Sequence, residues 1–218
     1  LFTTFLAILS LFLIGSAIAQ VDSEEDDITI LQLSNDEGPC QEILSVGSNS
    51  CLDEYPSLCN GQVAWHSAVR EYNPTTNRYE IHYVIKFWDG YETKILGRGT
   101  LPSLNNGQVA WQYGLWLGNY PEWFGSKIYF WDGTTSCCIG EGAHPSLCNG
   151  EIAYQAPNWE RWNHPKNIFL WDGTNKIQIT DYGQDDFSPS FHNGQIAFLR
   201  WSGLSDMSVM FWDGTSIQ

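Results

Sequence analysis

The sequence predicts an all-β chain: a β-propeller of which about four four-stranded blades are present, preceded by a cleaved signal peptide. Three observations carry that expectation. One pattern, Pro-Ser-Leu/Phe-x-Asn-Gly followed later by Trp-Asp-Gly, occurs four times. Both landmarks end in turn dipeptides that join antiparallel strands. The chain holds 11 Trp, 10 Tyr, 11 Phe and 20 Gly in 218 residues, a composition suited to sheets and tight turns rather than helices.

Residues 1–19, LFTTFLAILSLFLIGSAIA, are apolar and uncharged and end in Ala17-Ile18-Ala19, the small-x-small pattern that a signal peptidase accepts. Ser10, Gly15 and Ser16 interrupt the apolar run and no Lys or Arg follows it, which argues against a membrane anchor. There is no starting Met and no basic n-region, so the sequence is expected to begin inside the signal. This leader implies a secreted or periplasmic protein with no membrane span in the mature chain.

Residues 20–40 read as an acidic linker. The formal charge is −15, but residues 21–55 carry ten Asp and Glu and no Lys or Arg, leaving 15 acids against 10 bases in the rest. The run Glu24-Glu25-Asp26-Asp27 has no scaffold to make its carboxylates converge and reads as solvated chain rather than a metal site. Without a basic stripe, nucleic acid is excluded as a partner.

The six cysteines (40, 51, 59, 137, 138 and 148) all follow the leader, in a compartment that permits disulfides. Short loops favour Cys40 with Cys51, and Cys138 or its neighbour Cys137 with Cys148, although six cysteines allow 15 pairings. There is no Cys-x-x-Cys, so no zinc site or other metal is expected.

The repeat begins PSLCNGQVAW (56–65), PSLNNGQVAW (102–111), PSLCNGEIAY (145–154) and PSFHNGQIAF (189–198), with Asn-Gly at 60, 106, 149 and 193. A period in the low forties with several short strands per unit is the signature of propeller blades. Asn-Gly supplies the two positive-φ positions of a type I′ turn between strands A and B. Asp-Gly after Trp88, Trp131, Trp171 and Trp212 turns strand C into strand D, each Asp capping its turn. Trp65, Trp111, Tyr154 and Phe198 fall where one blade meets the next and read as core. The expected blades are 55–98, 99–140, 141–182 and an incomplete 183–218. Residues 41–54 form an orphan outer strand of the kind that closes a ring. A chain that stops as the fourth strand D begins is expected to be part of a propeller with six to eight blades.

Residues 176–198, KIQITDYGQDDFSPSFHNGQIAF, resemble the TolB-type, WD40-like propeller repeat at Ile179-Thr180, Asp186, Pro189-Ser190-Phe191, Gly194 and Ile196-Ala197-Phe198. The resemblance covers about residues 41–218. It departs from that family in having x-Asn-Gly where Ser-Pro-Asp-Gly is usual, and in its Trp-Asp-Gly.

From the turn Asn to the Trp of Trp-Asp-Gly the separation falls through 28, 25, 22 and 19 residues, so length varies in the loop joining strands B and C. Those loops contain Trp116, Trp123, Trp159, Trp162 and Trp201. They are either a platform for a sugar or a peptide, or a lid folded over the blade ends. No Gly-x-Ser-x-Gly occurs, and the five histidines share no metal-binding spacing. His144 and His164 are the one pair that loop placement could bring together. The expectation is therefore an extracytoplasmic, monomeric module with no chemistry of its own and no cofactor, binding protein or carbohydrate on its B–C loop face. The alternatives are the substrate-gating propeller of a larger enzyme of prolyl-oligopeptidase type, with catalysis encoded beyond Gln218, and a lyase-type propeller.

Overall fold

A computed structural model describes residues 19–21, 28–30, 53–114, 125–157, 165–203 and 206–218. All described elements are strands, in two units. Leu1–Leu52 and Val69–Glu80 form one; Asp53–Ala68 and Ile81–Gln218 form the other. In the first unit, β1 (Ala19–Val21) pairs antiparallel with β2 (Ile28–Ile30). The residues of the proposed leader before Ala19, the acidic run 24–27, Cys40, Cys51 and residues 41–52 of the expected orphan strand 41–54 lie outside the described residues. Within the tip Val69–Glu80, the Arg70 guanidinium lies 4.4 Å from the centre of the Tyr79 ring, and Asn73 Nδ2 donates to Glu80 Oε1 at 2.8 Å.

The repeats are antiparallel meanders, held in the second unit except for the Val69–Glu80 part of the first. The first sheet is β3 (Asp53–Cys59), β4 (Gln62–Asn73), β5 (Arg78–Trp88) and β6 (Thr93–Arg98). The next is β7 (Thr100–Asn105), β8 (Gln108–Tyr113), β9 (Lys127–Trp131) and β10 (Ser136–Glu141). The third is β11 (Ala143–Cys148), β12 (Glu151–Pro157), β13 (Lys166–Trp171) and β14 (Lys176–Gln178). The fourth has β15 (Asp185–His192), β16 (Gln195–Trp201) and β17 (Met207–Trp212), with a bridge from Trp212 to Ile217 where a further strand starts. These are propeller blades. Their first strands, β3, β7, β11 and β15, are neighbours in that order and form the inner layer.

The turns behave as their chemistry dictates. Each Asn-Gly has positive φ at both residues, 50° and 74° at Asn60 and Gly61 for example, the type I′ geometry that continues the twist of the strands it joins. Each Trp-Asp-Gly aspartate caps its hairpin: Asp132 Oδ1 accepts from Thr134 N at 2.7 Å and Thr135 N at 2.8 Å.

The core lies between blades. Ala64, Ile85 and Phe87 of the first pack on Leu104, Val109, Trp111 and Trp131 of the second. Ala110, Ile128 and Phe130 then meet Leu147, Ile152 and Tyr154, and Ala153, Ile168 and Leu170 meet Phe191, Ile196 and Phe198. Each large side chain fully buried in such a joint contributes roughly 1.5–3 kcal/mol. The Trp of Trp-Asp-Gly belongs to these joints, Trp131 lying 4.9 Å from Phe87 and Trp171 5.2 Å from Phe130, centre to centre.

The expected pairing of Cys137 or Cys138 with Cys148 is absent. All three thiols are free, as is that of Cys59. Cys137 and Cys138 lie on β10, the outermost strand of the second blade, whereas Cys148 ends β11, the inner strand of the third. The strands are consecutive in sequence but stand at opposite radial edges of their blades, an arrangement unsuited to a disulfide.

Candidate functional site

The inner strands carry a second feature of the repeat. In each, the residue before the motif Pro has a left-handed backbone: Tyr55 (φ 53°), Leu101 (53°), His144 (52°) and Ser188 (51°). A non-glycine residue there costs about 1–2 kcal/mol, and the residue before a proline ordinarily takes an extended conformation. The pairing register slips at the same place in every blade, between Glu54 and Ser57, Thr100 and Ser103, Ala143 and Ser146, and Phe187 and Ser190. These are β-bulges, which bend a strand and re-aim its backbone.

The re-aimed backbone reaches the preceding blade. Leu101 N donates to His66 Nδ1 at 3.3 Å, His144 N to Gln112 Oε1 at 3.1 Å, and Ser188 N to Gln155 Oε1 at 2.9 Å. The motif serine continues the coupling: Leu104 N donates to Ser57 Oγ, Leu147 N to Ser103 Oγ and Phe191 N to Ser146 Oγ, each at 2.9 Å. At the turn end the variable residue of the motif accepts from the next turn. Asn106 N donates to Cys59 Sγ at 3.4 Å, Asn149 N to Asn105 Oδ1 at 2.8 Å and Asn193 N to Cys148 Sγ at 3.5 Å. This accounts for Cys59, Cys148 and their counterpart Asn105 sharing one repeat position: sulfur and amide oxygen are both acceptors there.

Where the four bulges converge, Tyr55-Pro56-Ser57, Leu101-Pro102, His144-Pro145 and Ser188-Pro189 line a cavity of about 310 Å³. Among the described residues its wall consists of proline rings, serine hydroxyls, a phenol, an imidazole and a leucine, with no Asp, Glu, Lys or Arg. Strained backbone at four matched positions around one cavity is the pattern found at sites where geometry has been fixed for a purpose. In each blade the bulge lies toward the end where strand B leaves for the B–C loop, Thr100 pairing with Gln112 one residue before Tyr113, which ends β8. The cavity therefore belongs to the loop end, while the Asn-Gly turns and their side-chain amides belong to the other.

Of the tryptophans proposed as ligand stackers, Trp201 is described. It ends β16, pairs with Asp185 and Met207, and is 46% exposed. Trp116, Trp123, Trp159 and Trp162 lie outside the described residues, as does His164 of the His144–His164 pair. Among the described residues no three His, Cys, Asp or Glu side chains converge as metal ligands, and no helix is long and apolar enough to cross a membrane. The cavity itself has no sequence signal beyond the repeated Pro-Ser, because the left-handed residue before each Pro differs in every blade.

Electrostatics distinguish the first joint from the others. Burial pushes the His66 imidazole below its ordinary value, against the opposing pull of Glu54 and Asp53. The neutral ring that results can accept from Leu101 N. The later joints use Gln112 and Gln155, which do not titrate.

No family model matches the chain, and no curated protein is similar to it in sequence. Among solved structures it is similar to the acylaminoacyl peptidase of Pyrococcus horikoshii, at 14% identity and a TM-score of 0.53, over 93% of this chain and 30% of that one. It is similar also to a puromycin-hydrolyzing peptidase of Mycobacterium tuberculosis, at 16% identity and a TM-score of 0.55, over 97% of this chain and 37% of that one. A third likeness, at 10% identity and a TM-score of 0.47, is to the β-propeller domain of the Trilobed protease from Pyrococcus furiosus, over 93% of this chain and 76% of that one. The chain thus spans 30% and 37% of the lengths of the first two peptidases, and the likeness is one of fold.

Proposed function

We propose that this chain is the non-catalytic, polypeptide-admitting propeller of a larger extracytoplasmic protein of peptidase type, with the cavity at the inner strands as its point of contact. The observation that carries this reading is the uncharged cavity held by four strained residues, each directly before a motif proline. Proline and tyrosine rings offer apolar contact to any side chain, and the hydroxyls and imidazole offer hydrogen bonds to any main chain. Such a wall suits an extended polypeptide with little sequence preference and suits a charged ligand poorly. Its volume, near the low end for ligand sites, accommodates one or two residues at a time. The fold likeness to two peptidases supports the same reading. TolB-type relationship and extracytoplasmic placement enter it from the sequence.

A second reading, a glycan platform on the B–C loops, has one observation in its favour, the exposed indole of Trp201. Anisotropy titrations of labelled unstructured peptides and of soluble glycans against the chain separate the two. Tyr55→Ala and His144→Ala are expected to weaken peptide binding several-fold and Trp201→Ala to leave it unchanged. Peptide binding that is absent, or indifferent to the two cavity substitutions, contradicts the proposal. Glycan binding abolished by Trp201→Ala favours the second reading.

A further inference from the structure

Two of the four left-handed residues at the cavity rest on one imidazole. His66, on β4, is 3% exposed. Its Nδ1 accepts from Leu101 N at 3.3 Å, and the Tyr55 ring stacks on it with centres 5.2 Å apart. Leu101 and Tyr55 both line the cavity, each with a φ of 53°. The other two left-handed residues, His144 and Ser188, are held instead by Gln112 and Gln155, whose amides stay acceptors at any pH.

These contacts fix the tautomer of the ring. Because Nδ1 accepts, the proton of the neutral imidazole is on Nε2, which lies 3.4 Å from Glu54 Oε2. A second proton can enter only at Nδ1, where it faces the Leu101 N–H, donor against donor. Protonation thus removes the anchor of a residue whose backbone is already strained. It also draws the ring, with Tyr55 stacked on it, towards the Glu54 carboxylate.

The groups that face His66 come from three strands. Glu54 and Asp53 of β3 favour the charged ring, and Lys86 of β5 stands 4.0 Å from Asp53 Oδ1 and opposes it. The phenol rings of Tyr55 and of Tyr83, the latter edge-on at 5.0 Å, carry no charge in the weakly acidic range. β7 presents no titratable side chain. Burial outweighs the two carboxylates and favours the neutral ring.

We propose that protonation of His66 weakens the hold of the cavity on peptide, because Leu101 and Tyr55 keep their places only while His66 Nδ1 is an acceptor. The inference rests on the reading of the cavity as a polypeptide contact. His66 does not line the cavity and acts as a positioning residue. The neutral ring is the competent form, so affinity is full above the folded-state pKa and falls by up to about tenfold per pH unit as pH drops through it. Coupling is reciprocal, so bound peptide lowers the His66 pKa further.

The test is an anisotropy titration between pH 7.5 and pH 5.5, over the range in which circular dichroism of the chain is constant. The probe is a rhodamine-labelled peptide of alanine, serine and proline with blocked ends, which does not itself titrate. The parent chain is expected to bind about fivefold or more weakly at the lower pH. His66→Gln, which copies the acceptor of the next two blades, is expected to bring that ratio close to one. His144→Asn is expected to bind more weakly but to keep the ratio. In an NMR titration of the parent chain, the His66 ring is expected to titrate at lower pH with the peptide than without it. Binding that is present at pH 7.5 but indifferent to pH, a ratio that survives His66→Gln, or a His66 pKa unmoved by peptide would each overturn the coupling and leave the peptide reading standing. Absence of binding at every pH would overturn both.

Discussion

The side-chain amide of Asn60 donates to Asn106 Oδ1 at 2.8 Å, across the boundary between the first two blades and 46 residues along the chain. The same contact recurs from Asn106 to Asn149 at 3.4 Å and from Asn149 to Asn193 at 3.3 Å. The residues that turn each hairpin are therefore also linked from blade to blade. Together with the motif serine and the variable residue after the leucine, they make the repeat a device for coupling neighbours, as nearest-neighbour stabilisation of a repeat array requires.

Removing one coupling hydroxyl gives an effect that depends on the blade. Ser103→Ala leaves the buried Leu147 N–H without its acceptor and is expected to cost about 1–3 kcal/mol in denaturant unfolding. Ser190→Ala, at the exposed serine of the fourth blade with no described blade after it, is expected to cost little in this chain. Equal costs would contradict the coupling role.

Glycine at 99 is required by the packing of Trp111. Its φ is +154°, and a β-carbon there would stand 2.3 Å from Trp111 Cδ1 and 2.6 Å from the carbonyl oxygen of Gln112. The indole is itself held by a 3.1 Å bond from Nε1 to Arg98 O. Gly99→Ala is therefore expected to destabilise the fold by about 1–3 kcal/mol or more, with backbone strain and overpacking added together. Thermal unfolding of the variant beside the parent chain measures it.

His66 gives the first joint a pH dependence through the same bond that Gln112 and Gln155 make in the next two. Its folded-state pKa lies below the ordinary 6.5 because the ring is buried, so the folded state binds fewer protons than the unfolded one. Stability from this group is fully present above about pH 6.5 and declines as pH falls through the folded-state value. Protonation also removes the acceptor for Leu101 N. His66→Gln, which copies Gln112 and Gln155, is expected to flatten the dependence of unfolding free energy on pH in the weakly acidic range.

The capping aspartates act at lower pH. Backbone N–H donors, joined by the Lys94 ammonium at Asp89 and by threonine hydroxyls at Asp132, hold these two carboxyls at about 2, with Asp172 and Asp213 also lowered, against an ordinary value of 3.8. Folded-state values below unfolded ones mean stability present above about pH 4 and lost as pH falls towards 2. Asp132→Asn keeps an acceptor oxygen for Thr134 and Thr135 without a titratable charge. It is expected to fold at neutral pH and to reduce the slope of acid unfolding.

The hairpins were legible in the sequence because their causes are local. Asn-Gly and Asp-Gly fix turns through two residues' backbone preferences, and the strands between them follow. The joints were half legible: Trp111, Tyr154 and Phe198 read as core by hydrophobic type, but the hydrogen bonds of Ser57, Ser103 and Ser146 connect residues 44 to 47 apart, and no local signal marks the partner. The disulfide expectation for Cys138 and Cys148 failed for a related reason. Closeness in sequence was taken for closeness in space, whereas an outermost strand and the next innermost strand stand on opposite edges. The cavity was invisible because its shape comes from a left-handed residue before proline, a conformation that the sequence rules for that position disfavour.

The most direct test of the coupling account is native-state hydrogen exchange at four equivalent amides. The N–H groups of Leu104, Leu147 and Phe191 donate to a serine of the preceding blade, and each is expected to exchange slowly, through large-scale unfolding. The equivalent N–H of Leu58 has no described blade before it and is expected to exchange fast. Similar rates at all four positions would contradict the claim that the motif joins one blade to the next.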